Sequence, residues 1–238
     1  MPTGDDLIRL AETRLGEKYC SVRVPKNNSN WHGPWDCAEF ASWLVFQVMG
    51  ELYGCIDNAV DPAVAEAHSG AWARDVEENR LIRSNPVEAN HYPGMVLVRK
   101  PPLPGFMGHI AITDGYGKTI EAAGKVLGVR RCSVEGRHWD YAARIPGLLY
   151  TSTGHIEAVR PLPLLLKWTS PPMAGSLVLK VQEALSRAGM DPGALNGEYG
   201  PHTLAAVYAF QSMNALVPDG MVGPKTAKKL GIEWPGTC

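Results

Sequence analysis

Three residues of the chain could carry acyl-transfer chemistry: Cys37, His109 and Glu121. Cys37 follows Asp36 and opens an apolar stripe of Cys37, Phe40, Ala41, Leu44, Val45 and Val48. That spacing predicts a helix with Asp36 as its N-cap and Glu39 at the third position, close to a capping box. A thiol at the first helical position lies where backbone N–H groups and the helix dipole favour thiolate. The same stripe also suits a buried, unreactive cysteine. His109 opens a predicted strand, Gly108-His109-Ile110-Ala111-Ile112, in which alternation sends His109, Ala111 and Thr113 to one face. Taken alone, such a histidine is more often structural. Glu121 falls 12 residues later, in the next predicted strand. A hairpin centred on Gly115 would set it directly opposite His109 on one face. A carboxylate there orients the imidazole and favours its charged form. A cysteine nucleophile, a histidine base and a third orienting group are the usual set for acyl transfer.

These residues need a frame. Leu7, Ile8, Ala11 and Leu15 share one stripe, which predicts an N-terminal helix with Asp5 and Asp6 in its first turn. Strands are predicted over residues 95–99, 109–113, 118–122 and 126–132. Helices first and strands later suggest an α+β domain with helices packed on an antiparallel sheet. Residues 57–91 read as an insertion between the nucleophile helix and the sheet.

Order and spacing resemble the NlpC/P60 peptidases, a papain-like family. The matching pieces are Asp36-Cys37-Ala38-Glu39-Phe40, Gly94-Met95-Val96-Leu97, Gly108-His109-Ile110-Ala111-Ile112 and the later Glu121, with Leu15-Gly16-Glu17-Lys18-Tyr19 upstream. The resemblance spans roughly residues 5–145. It implies that Cys37 is the nucleophile, His109 the base and Glu121 its orienting partner. It also implies that Tyr19 helps the Cys37 N–H hold the oxyanion. Asp36, Trp35, Trp31 and Gly108 are the expected substrate-binding residues. Trp31, His32 and Trp35 equally suit aromatic packing under a long loop. Ala38-Glu39 departs from the family's Ser-Gly. Glu39 could cap the helix, or could repel an acidic substrate.

The C-terminal part carries an internal repeat. Asn196-Gly197-Glu198-Tyr199-Gly200-Pro201-His202-Thr203 recurs 23 residues later as Asp219-Gly220-Met221-Val222-Gly223-Pro224-Lys225-Thr226. Each copy reads as an Asx turn with a glycine at positive φ and a proline opening a helix. With Leu177, Val181, Ala184, Leu185 and Ala188 before them, the copies predict a bundle of three short helices. This segment resembles the peptidoglycan-binding type 1 domain in its Gln182–Leu185 helix, its two turns and its Ala206–Gln211 helix. Pro161, Pro163, Pro171 and Pro172 mark a linker. The expected organisation is a catalytic domain over 1–152, a linker over 153–175 and a wall-binding domain over 176–238.

Composition narrows the function classes. Lys+Arg number 23 and Asp+Glu 24, a net charge of −1, which argues against nucleic-acid binding by overall charge. No apolar run approaches the ~20 residues of a membrane helix. Charged residues at the start leave no readable secretory signal. The five cysteines form no C-x-x-C pair and are odd in number, which disfavours a disulfide scaffold. No H-E-x-x-H is present, and no metal or cofactor is expected. The resemblance to the NlpC/P60 peptidases implies hydrolysis of a peptidoglycan stem-peptide amide between γ-D-glutamyl and the diamino acid. Muramoyl-L-alanine amidase or cross-link endopeptidase activity is the alternative, and a non-catalytic wall-binding protein or an acyltransferase are others. The expected partner is bacterial peptidoglycan. Action at the wall without a signal would require phage lysis or a secretion machine, with an immunity protein accompanying a delivered toxin.

Overall fold

The structure, a computed structural model, describes residues 1–103, 106–154 and 164–235. Two compact units are present, Met1–Ala158 and Val159–Cys238.

The first unit is α+β. Helices α1 (Gly4–Glu12), α2 (Cys37–Met49) and α3 (Ser69–Glu77) precede strands β1 (Ile82–Ser84), β2 (Pro93–Arg99), β3 (His109–Asp114), β4 (Lys118–Ala122), β5 (Val129–Ser133) and β6 (Tyr141–Arg144). The strands form one sheet in the order β1-β6-β2-β3-β4-β5, each neighbour antiparallel. Alternation sorts the side chains. Val96, Val98, Ile110, Ile112, Ile120 and Ala122 join Leu7, Phe40 and Leu44 in the larger core. Met95, Leu97, Ala111 and Ala142 cluster with Trp139 in a smaller one. With both faces covered, β2 and β3 are buried along their whole length.

The sequence reading finds four of these six strands, with β5 shifted toward the C-terminus. β1 is only three residues long, and β6 contains two alanines, which carry little intrinsic strand preference. Both exist because the sheet supplies their ladders. α3 lies inside the stretch read as an insertion.

The second unit holds α4 (Ser176–Arg187), α5 (Pro201–Met213) and α6 (Pro224–Leu230). Gly197 and Gly220 sit at φ 73° and 65°, conformations that their turns require and that side chains disfavour. The linker expectation needs correction over its described part. Leu166 and Val222 exchange two backbone hydrogen bonds of 2.9 Å, and the Tyr199 N–H donates to the Met173 carbonyl at 2.8 Å. Leu166, Met173 and Gly175 therefore pair with the bundle through their backbone groups. Pro161 and Pro163 lie outside the described residues, as do His155 and Cys238. Among the described residues, no helix is long and apolar enough to cross a membrane.

Candidate active site

Helix α2 begins at Cys37, and the Asp36 side chain accepts the Glu39 N–H at 2.8 Å as its cap. The cap fixes where the first helical turn starts, and so where the thiol lies. The Ile110 N–H lies close enough to the Cys37 sulfur to favour its thiolate. The start of α2 thus meets β3 one residue beyond His109. The thiol is not held as thiolate in the resting site. Burial, and then the Asp36 charge, push it up to about 12, against the pull of the Ile110 N–H and Arg99. Desolvation outweighs the helix-terminus effect expected from sequence. Burial likewise pushes the Asp36 carboxyl up to about 7.

His109 and Glu121 come together, with Nε2 and Oε1 3.2 Å apart. The register that achieves this differs from the expected one. Ile112 pairs with Ile120 and Thr113 with Thr119, so the hairpin is centred on Tyr116 and not on Gly115. Glu121 therefore stands diagonal to His109. The shift is two residues, which preserves the shared face, and a diagonal pair is still within reach of long side chains. Glu121 also accepts from Thr119 Oγ1 at 2.7 Å.

Arg137, in the segment between β5 and β6, completes the cluster. Its two terminal nitrogens reach Oε2 and Oε1 of Glu121, both at 3.0 Å. Its guanidinium lies 4.5 Å from the ring centre of Trp139, and the Trp139 ring lies 6.0 Å from the His109 ring. Burial raises the Glu121 carboxyl, but Arg137, His109 and their hydrogen bonds outweigh it and hold the group well below the usual carboxylate range. Burial lowers the His109 imidazole below its ordinary value, with Arg137 and Arg99 acting the same way against Glu121. Sequence reasoning missed Arg137 and Trp139. Glu-Gly-Arg-His-Trp matches no motif, and only the sheet topology brings it to Glu121.

The remaining expected site residues divide. The Tyr19 backbone bridges to Trp35, and the Cys20 N–H donates to the Trp35 carbonyl at 2.9 Å, so the Tyr19 segment runs beside the approach to Cys37. Trp35 itself is fully buried, edge-on to Phe40 at 5.2 Å, with its indole N–H donated to Glu17. It belongs to the core and offers no surface to a substrate. Trp31 is half-buried, and its indole N–H donates to the Pro34 carbonyl at 3.3 Å. His32 is exposed and contacts Arg14 at 2.7 Å. Gly108 is a close-approach position. A Cβ there would meet the Arg99 carbonyl oxygen at 2.4 Å and the Ser69 hydroxyl at 2.8 Å. It lets α3 begin beside β3.

Glu39 does not close a capping box. Its side chain is buried on Lys26 Nζ at 2.5 Å and accepts the Val24 N–H at 2.9 Å and the Ala67 N–H at 2.7 Å. Lys26 also donates to the Val24 and Ala65 carbonyls, both at 2.9 Å. Glu39 staples two loops to α2, and its charge is neutralised internally by Lys26.

These features define a two-part protein, an α+β unit with a thiol, an imidazole and a carboxylate grouped at one end of its sheet, followed by a helical unit built on a repeated turn. Residues 174–230 match the family model for a putative peptidoglycan binding domain. The chain is 44% identical over 129 residues to N-acetylmuramoyl-L-alanine amidase CwlL of Bacillus licheniformis, covering 51% of this chain and 31% of that protein. It is 40% identical over 71 residues to an uncharacterized protein in the bpoA1 3' region of Kitasatospora aureofaciens, covering 30% of this chain and 58% of that one. It thus spans 31% and 58% of the length of these two curated relatives. Among solved structures it is similar to the NlpC/p60 domain of peptidoglycan hydrolase SagA, with a TM-score of 0.40, 20% identity, 60% of this chain and 99% of that one covered. It is also similar to NlpC2 from Trichomonas vaginalis, with a TM-score of 0.41, 16% identity, 62% of this chain and 47% of that one covered.

Proposed function

We propose that the chain is a peptidoglycan hydrolase that cleaves an amide through Cys37, His109 and Glu121, and that its helical unit holds it to the wall. The observation that carries the reading is the junction of α2 and β3. The start of α2, with Cys37, packs against β3, where the adjoining His109 places Nε2 3.2 Å from Oε1 of Glu121. That orientation reserves Nδ1 for the thiol proton. Sγ attacks the amide carbonyl as His109 takes that proton, and the oxyanion forms against the Cys37 N–H and Tyr19. The C–N bond breaks as His109 returns the proton to the leaving amine. Water, activated by His109, then hydrolyses the thioester and regenerates the thiol.

The bond is the amide between γ-D-glutamyl and the diamino acid. The motif resemblance supports this choice, and the internal neutralisation of Glu39 removes one argument against an acidic stem. The second reading is cleavage between muramic acid and L-Ala, favoured by the identity shared with the Bacillus amidase. Mass spectrometry of digested muropeptides separates the two. A new diamino-acid N-terminus with a free D-Glu γ-carboxyl is the expected product. Bare glycan with intact stem peptides would establish the amidase.

A further inference from the structure

The Glu121 side chain is fully buried, and its charge needs a partner. Two cations could serve, an imidazolium at position 109 or the guanidinium of Arg137. The geometry favours the guanidinium. Arg137 donates one hydrogen bond to Oε2 at 3.0 Å and holds its other terminal nitrogen 3.0 Å from Oε1, so the guanidinium charge lies against both carboxylate oxygens. His109 reaches one oxygen at 3.2 Å. The Arg137 side chain is itself only 7% exposed, so solvent screens the pair little. Trp139 braces the guanidinium on one side and lies near the His109 ring on the other.

We propose that Arg137 is a positioning residue for the acyl-transfer site: it fixes the Glu121 carboxylate on the Nε2 side of His109 and carries its counter-charge, which leaves His109 an uncharged base. This proposal rests on the Cys37–His109–Glu121 reading. The charged and titratable groups facing the pair are Cys37 on α2, Arg99 on β2, Arg130 and Cys132 on β5, and Arg137. The two thiols are held neutral by burial, each pushed up to about 12. The Glu121–Arg137 pair then presents little net charge to the imidazole. Removing Arg137 exposes His109 to an uncompensated carboxylate. Imidazolium becomes less disfavoured, and the pH below which the base is lost rises.

The test is a titration of His109 by NMR in the full chain, paired with the pH profile of kcat/KM on soluble muropeptide. In Arg137→Gln the His109 midpoint should rise by about 1 pH unit or more, and the acid limb of kcat/KM should rise with it. KM should change little. Arg137→Lys should restore most of the midpoint, because the charge returns. Its kcat should stay several-fold low, because the contact with both oxygens does not. An unmoved His109 midpoint in Arg137→Gln overturns the proposal. A midpoint that moves while the acid limb stays put overturns the underlying reading of His109 as the base. If Arg137→Gln fails to fold, Arg137→Lys decides, since wild-type kcat in that variant would remove any role for that contact.

Discussion

The two units bury polar side chains in opposite ways. In the α+β unit the buried groups are charged, and their partners come from distant parts of the chain. Glu121 draws on His109 and Arg137, and Glu39 draws on Lys26 and the Ala67 N–H. In the helical unit the buried hydrogen bonds centre on two glutamine amides, with Asp219 the one buried carboxylate among the described residues, and the same arrangement occurs twice. Gln182 accepts the Gly197 N–H at 2.9 Å and donates to Asn196, the Glu198 carbonyl and Thr203. Gln211 accepts the Asp219 and Gly220 N–H groups at 3.0 and 2.8 Å and donates to Asp219, the Met221 carbonyl and Thr226. Each glutamine closes the turn that follows it. A neutral amide satisfies both donors and acceptors of a turn and leaves no charge to neutralise. The first unit pairs buried charges across distant segments, and the second repeats one glutamine-centred turn.

The sharpest way to break this contrast is to strand one of the charges. Glu39→Ala leaves the Lys26 ammonium buried without its carboxylate. It should cost about 3–5 kcal/mol, read from urea unfolding of the first unit. Replacing both partners with apolar residues, Lys26→Met with Glu39→Leu, should recover much of that. If Glu39→Ala costs under about 1 kcal/mol, Glu39 is not the staple described.

Chemistry should be more sensitive than folding at Glu121. Glu121→Gln keeps a hydrogen-bond acceptor but removes the charge. Its kcat should fall on the order of 10- to 100-fold with KM nearly unchanged. Wild-type kcat would assign the orienting role elsewhere.

The neutral side of the contrast predicts smaller losses. Gln211→Leu and Gln182→Leu each leave buried backbone groups unpaired, at about 1–3 kcal/mol apiece. Gln211 should cost more, since it holds two backbone amides where Gln182 holds one. Both variants should bind sacculi less well and cut soluble muropeptides at the wild-type rate. Reduced muropeptide cleavage would mean that the units are not separable.

The mildest effect is in pH. Because His109 sits below its ordinary value, its imidazole stays neutral to lower pH. The acid limb of kcat/KM should therefore fall below about pH 6.5 and report loss of the neutral base. An acid limb above that value would place the working imidazole in a different environment.

How much was legible in the sequence follows the same divide. The repeated turns could be read because their partners lie within one helix and one turn, with glycine and proline marking both copies. The meeting of His109 and Glu121 was legible because strand alternation keeps both on one face. The two-residue register error at Gly115 was invisible, since either register keeps that face. Glu39 was misread because its partners, Lys26 and the Ala67 N–H, come from loops with no periodic pattern. Trp35 was misread because an aromatic before a nucleophile suits a pocket wall and a core equally well. Arg137 carried no signal, since its meaning comes from a sheet order in which β5 and β6 lie at different places.

The central claim is that Cys37 forms a thioester with the wall peptide. The direct measurement is intact-protein mass spectrometry of an acid-quenched, single-turnover mixture with soluble muropeptide, followed by peptide mapping. A transient adduct of the acyl fragment on the Cys37 peptide is the predicted result. It should be absent in Cys37→Ala, which should also lose at least about a thousand-fold in hydrolysis. Hydrolysis by Cys37→Ala near the wild-type rate, or an adduct on Cys20, Cys55 or Cys132 in place of Cys37, would contradict the account.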